Sequence, residues 1–384
     1  MINGIQYGKH TLTNEDIEAV VQSLKSEYLT QGPKVSEFED KFSKYVGAKY
    51  AVAVNNGTAA LHLCSLALGV KKGVRVITSP ITFVASANCV RYCGGEIWFA
   101  DIDPATYTLD IKKVRELIES KPKGFFHGII PVQFAGYVTD MLAFRSLAEE
   151  YNLWIIEDGC HAPGGYFINA NGIRHNCGNG LFADLAIFSF HPVKHIACGE
   201  GGMITTNDVQ LYNNLMLLRT HGITKQVEHI DDNHGGWYYE MQELGYNYRL
   251  TDFQAALGIS QLDRAQKGLI RRREIAKFYF DSFKGKSFIM GQSGFLEGHA
   301  YHLYVIEVER RRELYDFLKS KNIFCQVHYI PIYLHPYYRQ IGYSHVSFPS
   351  AESYYSRCLS LPMYPGLSDS EQKFVIESVN SFYE

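Results

Sequence analysis

The chain alternates apolar runs with polar breaks, first at a helical period and then in short strand-length bursts. Thr13-Asn-Glu-Asp16 has the form of a capping box and opens a helix expected to run to about Lys25, with Ile17, Val20, Val21 and Leu24 on one face. Leu29-Thr-Gln-Gly-Pro33 breaks it, and Val35, Phe38, Phe42 and Val46 mark the buried stripe of a second helix. Residues 50–54 read as a strand, and more strands are expected near 74–78, 96–100, 126–132 and 153–157. Helical stretches near 83–93, 111–121 and 140–151 separate them. The apolar runs at 185–188 and 203–206 bring the strands to seven. Strand, helix, strand at this spacing implies the α/β class: right-handed crossovers and a mostly parallel seven-stranded sheet flanked by helices. Ligands of such sheets bind at the carboxyl ends of the strands. A long helical segment is expected from 249 to 283. Beyond it come a strand at 301–308, a helix at 311–321, a strand at 323–327, a loop rich in tyrosine and proline, and helices near 349–359 and 368–382. Residues 1–259 are therefore expected to form a large domain with amino-terminal helices, and 260–384 a smaller carboxyl-terminal α/β domain.

Composition narrows the class. Of 384 residues, 46% are hydrophobic and 20% charged, enough for a sizeable core and unlike a disordered chain. A net charge of -3 argues against polyanion binding, so no nucleic-acid partner is expected. The triplets Arg271-Arg272-Arg273 and Arg310-Arg311-Arg312 read as solvated helix faces. No leader-like segment opens the chain and no apolar run reaches the ~18 residues of a membrane helix, so a cytoplasmic protein without a membrane partner is expected. The eight cysteines form no C-x-x-C pair, so neither a disulfide framework nor a metal site is expected.

The chemistry gathers around residues 184–203. Lys194 lies between two strand-like runs, with Gly199, Gly201 and Gly202 close behind. A lysine held there is desolvated, which disfavours the ammonium and frees a lone pair for attack on a carbonyl. Asn56-Gly-Thr-Ala-Ala60, between a strand and a helix, offers free N–H groups and the positive end of a helix dipole to a phosphate. Asp158, at the end of an apolar strand, could keep a pyridine nitrogen protonated, and His161 three residues on could reach the same ring. Phe83 could stack on a planar group, and the Ser189 hydroxyl could help hold a phosphate. Each feature has a plainer reading: a surface lysine, a helix cap, a packed core ring. Their occurrence together in one chain is what points to a site. Gly178-Asn-Gly-Leu-Phe-Ala183 has the spacing of a dinucleotide fingerprint, but no strand precedes it and no helix follows, so a dehydrogenase is not expected.

These stretches resemble the fold-type I pyridoxal phosphate enzymes, and more closely the nucleotide-sugar aminotransferases of the DegT/DnrJ/EryC/StrS family. The similarity rests on Leu29-Thr-Gln-Gly32, Asn56-Gly-Thr-Ala-Ala60, Thr82-Phe-Val-Ala85, Glu157-Asp158, Phe188-Ser-Phe-His191 with Lys194, Gly199-Glu-Gly-Gly202, Arg219-Thr-His-Gly222 and Asn247-Tyr-Arg249. Asp158-Gly-Cys-His161, Ser189-Phe-His-Pro-Val-Lys194 and Gln326-Val-His-Tyr-Ile-Pro-Ile-Tyr333 are most similar to its pseudaminic-acid branch. The resemblance implies pyridoxal 5'-phosphate cycling through pyridoxamine phosphate, with Lys194 the Schiff-base lysine and Asp158 on the pyridine nitrogen. Phe83 would stack on the ring, His161 would stand where many relatives carry glutamine, and Thr58, Ala59 and Ser189 would hold the phosphate. Asn247 would reach the phosphate of a neighbouring subunit, making a homodimer with shared active sites. Tyr7, Glu27, Tyr28, Leu29, Thr30, Gln326, Val327, His328 and Tyr329 match positions that contact sugar nucleotide. The implied reaction moves the amino group of L-glutamate to a UDP-linked 4-keto-6-deoxy N-acetylhexosamine. The alternatives are amination at C3 or C4 of another nucleotide keto sugar, or a non-catalytic regulator that binds such ligands. Ala197-Cys198 departs from the pair of threonines usual in relatives.

Overall fold

The computed structural model describes residues 4–225, 230 and 234–384. Seven strands make the central sheet: β1 (Tyr50–Val54), β2 (Arg75–Thr78), β3 (Glu96–Phe99), β4 (Gly128–Ile130), β5 (Trp154–Asp158), β6 (Leu185–Ser189) and β7 (Gly202–Thr206). Their spatial order is β1-β7-β6-β5-β4-β2-β3. β7 alone runs against its neighbours, β6 on one side and β1 on the other. Gly202 consequently pairs with Val54 at the end of β1 and with Ser189 at the end of β6. The sheet is covered on both faces, so 52–54 and 185–188 are continuously buried rather than alternating. Phe38, Phe42, Ile129, Ile155 and Phe188 pack on one face, and Val52, Val54, Ile130, Ile187 and Ile204 on the other.

The covering helices are α1 (Asn14–Leu24), α2 (Pro33–Val46), α3 (Gly57–Ala67), α4 (Ala85–Tyr92), α5 (Ile111–Glu119), α6 (Met141–Tyr151), α7 (Val209–Arg219), α8 (Asp252–Asp263) and α9 (Ala265–Phe283). The helix expected over 249–283 is thus two helices meeting at Arg264, and the boundary expected after residue 259 falls inside α8. The buried face of α1 is polar. The Asp16 carboxylate accepts from Ser260 Oγ at 2.7 Å, from Gln261 Nε2 at 2.8 Å and from the Arg264 guanidinium, which ties α1 to α8. The apolar side of α1 looks outward, with Ile17 and Leu24 more than half exposed.

The carboxyl-terminal sheet is antiparallel: β8 (Ile289–Gln292), β9 (Tyr304–Val308) and β10 (Cys358–Leu361), with β9 in the middle. The helix expected at 349–359 stops at Arg357 because Cys358 already pairs with Glu307 in β9. One arginine triplet is not the solvated face expected of it. Arg272 is buried, its Nη1 donating to the carbonyls of Tyr301 (3.1 Å), His302 (3.4 Å) and Met363 (3.0 Å), which joins α9 to the segments flanking β9 and β10. A short strand, Ile5–Gln6, pairs in parallel with Ile323–Phe324 and so brings Tyr7 to the wall of the large cavity described below. Among the described residues no helix is long and apolar enough to cross a membrane.

Candidate active site

A cavity of about 1210 Å³ opens at the carboxyl ends of β1, β5 and β6. The lysine loop enters it between β6 and β7. Phe190 N donates to Gly201 O at 2.8 Å and Cys198 N to Phe190 O at 2.9 Å, closing the loop at its base. Phe190 and Ile196 are fully buried beneath it. Cys198 lies against α8 so closely that a Cβ on Gly258 would meet its sulfur at 2.9 Å. The departure at Ala197-Cys198 therefore sits in the packing below the loop. Lys194 N donates to His191 O at 2.8 Å, turning the side chain into the cavity. Desolvation lowers the pKa of the Lys194 amine, and its Nζ lies 3.4 Å from His302 Nε2.

Asp158 ends β5. Its Oδ2 accepts from Ser86 Oγ at 2.7 Å and its Oδ1 from the Cys160 N–H at 3.1 Å, so both oxygens are aimed while each keeps a free lone pair. Ser86 also meets Thr82 Oγ1 at 3.0 Å. Phe83 borders the cavity with 57% of its surface exposed, its ring meeting that of Tyr329 only at a tilt, with centroids 6.2 Å apart.

The start of α3 faces the same space. Asn56 Oδ1 accepts from Ala59 N at 2.8 Å, capping the helix and using up the Ala59 N–H. The Gly57 and Thr58 N–H groups remain as first-turn donors. Ser189 stands directly opposite: a Cβ on Gly57 would be 2.9 Å from Ser189 Cβ and 3.3 Å from its Oγ. Glycine at 57 leaves open the space between the helix end and that hydroxyl.

His161 is buried, and its Nδ1 lies 3.2 Å from the Ala135 N–H. An amide can only donate, so Nδ1 carries the lone pair, and the neutral ring keeps its proton on Nε2, 3.4 Å from Tyr329 Oη. Desolvation, with the nearby Lys194 charge, holds the His161 pKa well below its usual value. His328 Nδ1 meets Ser360 Oγ at 2.9 Å, and burial pushes that imidazole down to about 3.

Of the residues singled out from the sequence, Tyr7, Thr58, Ala59, Phe83, Asp158, His161, Ser189, Lys194, Gln326, Val327, His328 and Tyr329 line this cavity. Glu27, Tyr28, Leu29 and Thr30 are exposed and lie outside it, bound through Leu29 O to the start of α8. Asn247 is also exposed and away from the cavity of its own chain. Sequence reasoning missed Ser86, one turn beyond Phe83, which orients Asp158. It also missed His302, hidden at the head of a strand-like run. The first could have been found by asking what a buried carboxylate at 158 accepts from; the second carries no local signal.

Comparison with known proteins agrees with this geometry. Residues 10–380 match the DegT/DnrJ/EryC1/StrS aminotransferase family. The chain is 39% identical over 384 residues to the spore coat polysaccharide biosynthesis protein SpsC of Bacillus subtilis, covering 98% of this chain and 96% of that protein. It is 36% identical to the UDP-4-amino-4,6-dideoxy-N-acetyl-beta-L-altrosamine transaminase of Campylobacter jejuni, covering 99% and 98%. Among solved structures, it superimposes on Helicobacter pylori PseC, an aminotransferase of pseudaminic acid biosynthesis, with a TM-score of 0.89 and 30% identity over 98% of both chains. The pyridoxal phosphate form of the putative sugar aminotransferase Spr1654 of Streptococcus pneumoniae gives 0.87 and 29%, again over 98% of both.

Proposed function

Because the chain belongs to the DegT/DnrJ/EryC1/StrS aminotransferase family and is a pyridoxal-phosphate-dependent sugar aminotransferase, we propose that its substrate is a UDP-linked 4-keto-6-deoxy N-acetylhexosamine. The donor in this reading is L-glutamate and the product a UDP-4-amino sugar for pseudaminic acid or a related surface glycan. The observation that carries it is the convergence of Lys194, Asp158, Phe83 and the open end of α3 on one cavity. The space bounded by Gly57 and Ser189, the half-exposed Phe83 face and the oriented Asp158 carboxylate suit a flat, phosphorylated pyridine.

When bound, pyridoxal phosphate supplies an aldehyde carbon and an electron-accepting ring. The Gly57 and Thr58 N–H groups, with the Thr58 and Ser189 hydroxyls, hold its phosphate at the positive end of α3. Asp158 would hold the proton on the ring nitrogen, its carboxylate kept aimed by Ser86 and the Cys160 N–H. Phe83 would stack on the ring, and His161, its Nδ1 already accepting from the Ala135 N–H, would have its Nε2 proton to donate there. Lys194, its ammonium disfavoured by burial, would serve as the general base and acid that moves a proton to and from the donor's α-carbon. Tyr7, Gln326, Val327, His328 and Tyr329 line the side toward the small domain, where the sugar nucleotide is received.

The partner subunit completes the site in this reading. Asn247, Glu27, Tyr28, Leu29 and Thr30 all lie outside their own chain's cavity, and Ile17, Leu24, Tyr28 and Leu29 leave an apolar surface beside them for a second copy. A second substrate reading, another nucleotide-linked keto sugar, draws support from SpsC, which is as similar as the altrosamine transaminases. The test offers a panel of UDP-, dTDP- and GDP-linked 3- and 4-keto sugars with glutamate and reads the product by NMR. The UDP-4-amino-4,6-dideoxy sugar is expected as the best product; equal or faster turnover of a dTDP- or GDP-linked sugar would favour the second reading.

A further inference from the structure

Three imidazoles gather at the inner end of the lysine. His302 is buried, its ring 4.3 Å from that of His161 and 5.8 Å from that of His195. Its backbone is pinned: Leu303 N donates to Ala135 O (3.1 Å), Ala300 N to Gly136 O (2.8 Å), and Arg272 to the carbonyls of Tyr301 and His302. The ring itself is packed in by burial. Among the described residues, Lys194 Nζ has one hydrogen-bond partner, His302 Nε2 at 3.4 Å. His302 Nδ1 is buried with no partner, so no competing bond dictates the tautomer.

The chemistry separates the two tautomers. With its proton on Nε2, His302 would donate into the amine's lone pair and block the base that transamination needs. With its proton on Nδ1, Nε2 accepts an N–H from Nζ, and the amine's lone pair then points the other way, into the cavity. A neutral imidazole is required for this. Burial, helped by the charges of Lys194 and Arg272, keeps His302 neutral well below its usual pKa, with His161 and His195 the other titratable groups facing it. On the lysine side, Cys160, Asp158 and Arg272 are the facing groups.

We propose that His302 is a positioning residue for Lys194, whose Nε2 accepts from the amine when that amine is free and so aims its lone pair at the reacting carbons. This rests on Lys194 being the residue that bonds the cofactor. His302 itself touches neither cofactor nor substrate in this role.

The experiment compares His302→Gln with His302→Asn. Glutamine carries its amide to about the position of Nε2; asparagine stops near Nδ1. Both are polar and small enough to be buried there. Three readouts are taken on each: the site of cofactor attachment after borohydride reduction, the single-turnover rate with glutamate, and, in apo protein, the pH profile of Lys194 acetylation by acetic anhydride read by peptide mass spectrometry. His302→Asn is expected to lose roughly 10- to 100-fold in single-turnover rate with little change in glutamate KM, as misplacement of a reacting group does. Its Lys194 acetylation profile is expected to shift to lower pH, because the ammonium loses its acceptor. His302→Gln is expected to stay within a few-fold of the native protein on both. Equal behaviour of the two variants, whether both native-like or both impaired, overturns the proposal alone. Reduced cofactor found on a residue other than Lys194 in the native protein overturns the proposal together with the reading beneath it.

Discussion

Gly57→Ala tests the cofactor cradle against the fold. The backbone at 57 begins a regular helix, so alanine is conformationally welcome there. Its methyl would meet Ser189 Cβ at 2.9 Å, Oγ at 3.3 Å and Cα at 3.5 Å, which are not the ends of a flexible side chain. Overpacking of this kind costs about 1–3 kcal/mol, while alanine regains up to about 1 kcal/mol over glycine in a helix. Apo protein should therefore lose about 0–3 kcal/mol. The phosphate suffers more, because the methyl occupies the gap between the α3 donors and the Ser189 hydroxyl. Losing one hydrogen bond to a charged group costs about 1.5–3 kcal/mol, or roughly a 10- to 150-fold rise in Kd for pyridoxal phosphate. The assay titrates apo native and variant protein with the cofactor by absorbance and takes thermal melts of both apo forms. An unchanged Kd, or a loss of apo stability large enough to account for the weakened binding, would refute the assignment of this gap to the phosphate.

Two further outcomes follow from the site and its packing. His299 and His328 are each held neutral by burial, with pKa near 3 against about 6.5 in an unfolded chain. Between those values the unfolded state binds up to two more protons at these two sites, so their contribution to stability rises with pH across the window and is lost as pH drops from 6.5 toward 3. The two imidazoles together add a slope of about 2.7 kcal/mol per pH unit near the middle of the window, measurable by urea denaturation of apo protein between pH 4.5 and 6; a flat profile would mean those imidazoles are solvated. Separately, Lys194→Ala and Asn247→Ala proteins, each weak alone at limiting cofactor, should regain activity when refolded together, since one of the two sites in a mixed dimer then has both residues intact. No gain on mixing would mean that Asn247 serves its own chain.

The parallel sheet and the two residues at its strand ends were legible because burial on both faces leaves a local trace: a short apolar run that stops at a polar residue. Asp158 and Lys194 both follow such runs. The orientation of α1 was not legible. Its pattern marks Ile17 and Leu24 as the inner face, but Asp16 finds its partners in Ser260, Gln261 and Arg264, some 245 residues away, and these turn the helix over. Arg272 was misread for the same reason, its three carbonyl acceptors lying on segments outside its own helix. His302 contacts Lys194 across 108 residues and sits in a run whose pattern says only strand. Local periodicity reports which side of an element is apolar. It is silent on a polar group whose satisfaction comes from a distant segment.

The lone reversed strand has a consequence for how this enzyme can change. Gly202 is laced to the end of β1, which leads into the anion-holding turn, and to the end of β6, which leads into the amine-bearing loop. A Cβ there would fall 2.5 Å from Asn56 O. On the function proposed above, grip on the cofactor's tail and placement of the nucleophile would both hang from a single rivet. A lineage carrying this wiring would drift in both properties at once, and new sugar preferences would have to arise on the small-domain wall, where neither is disturbed.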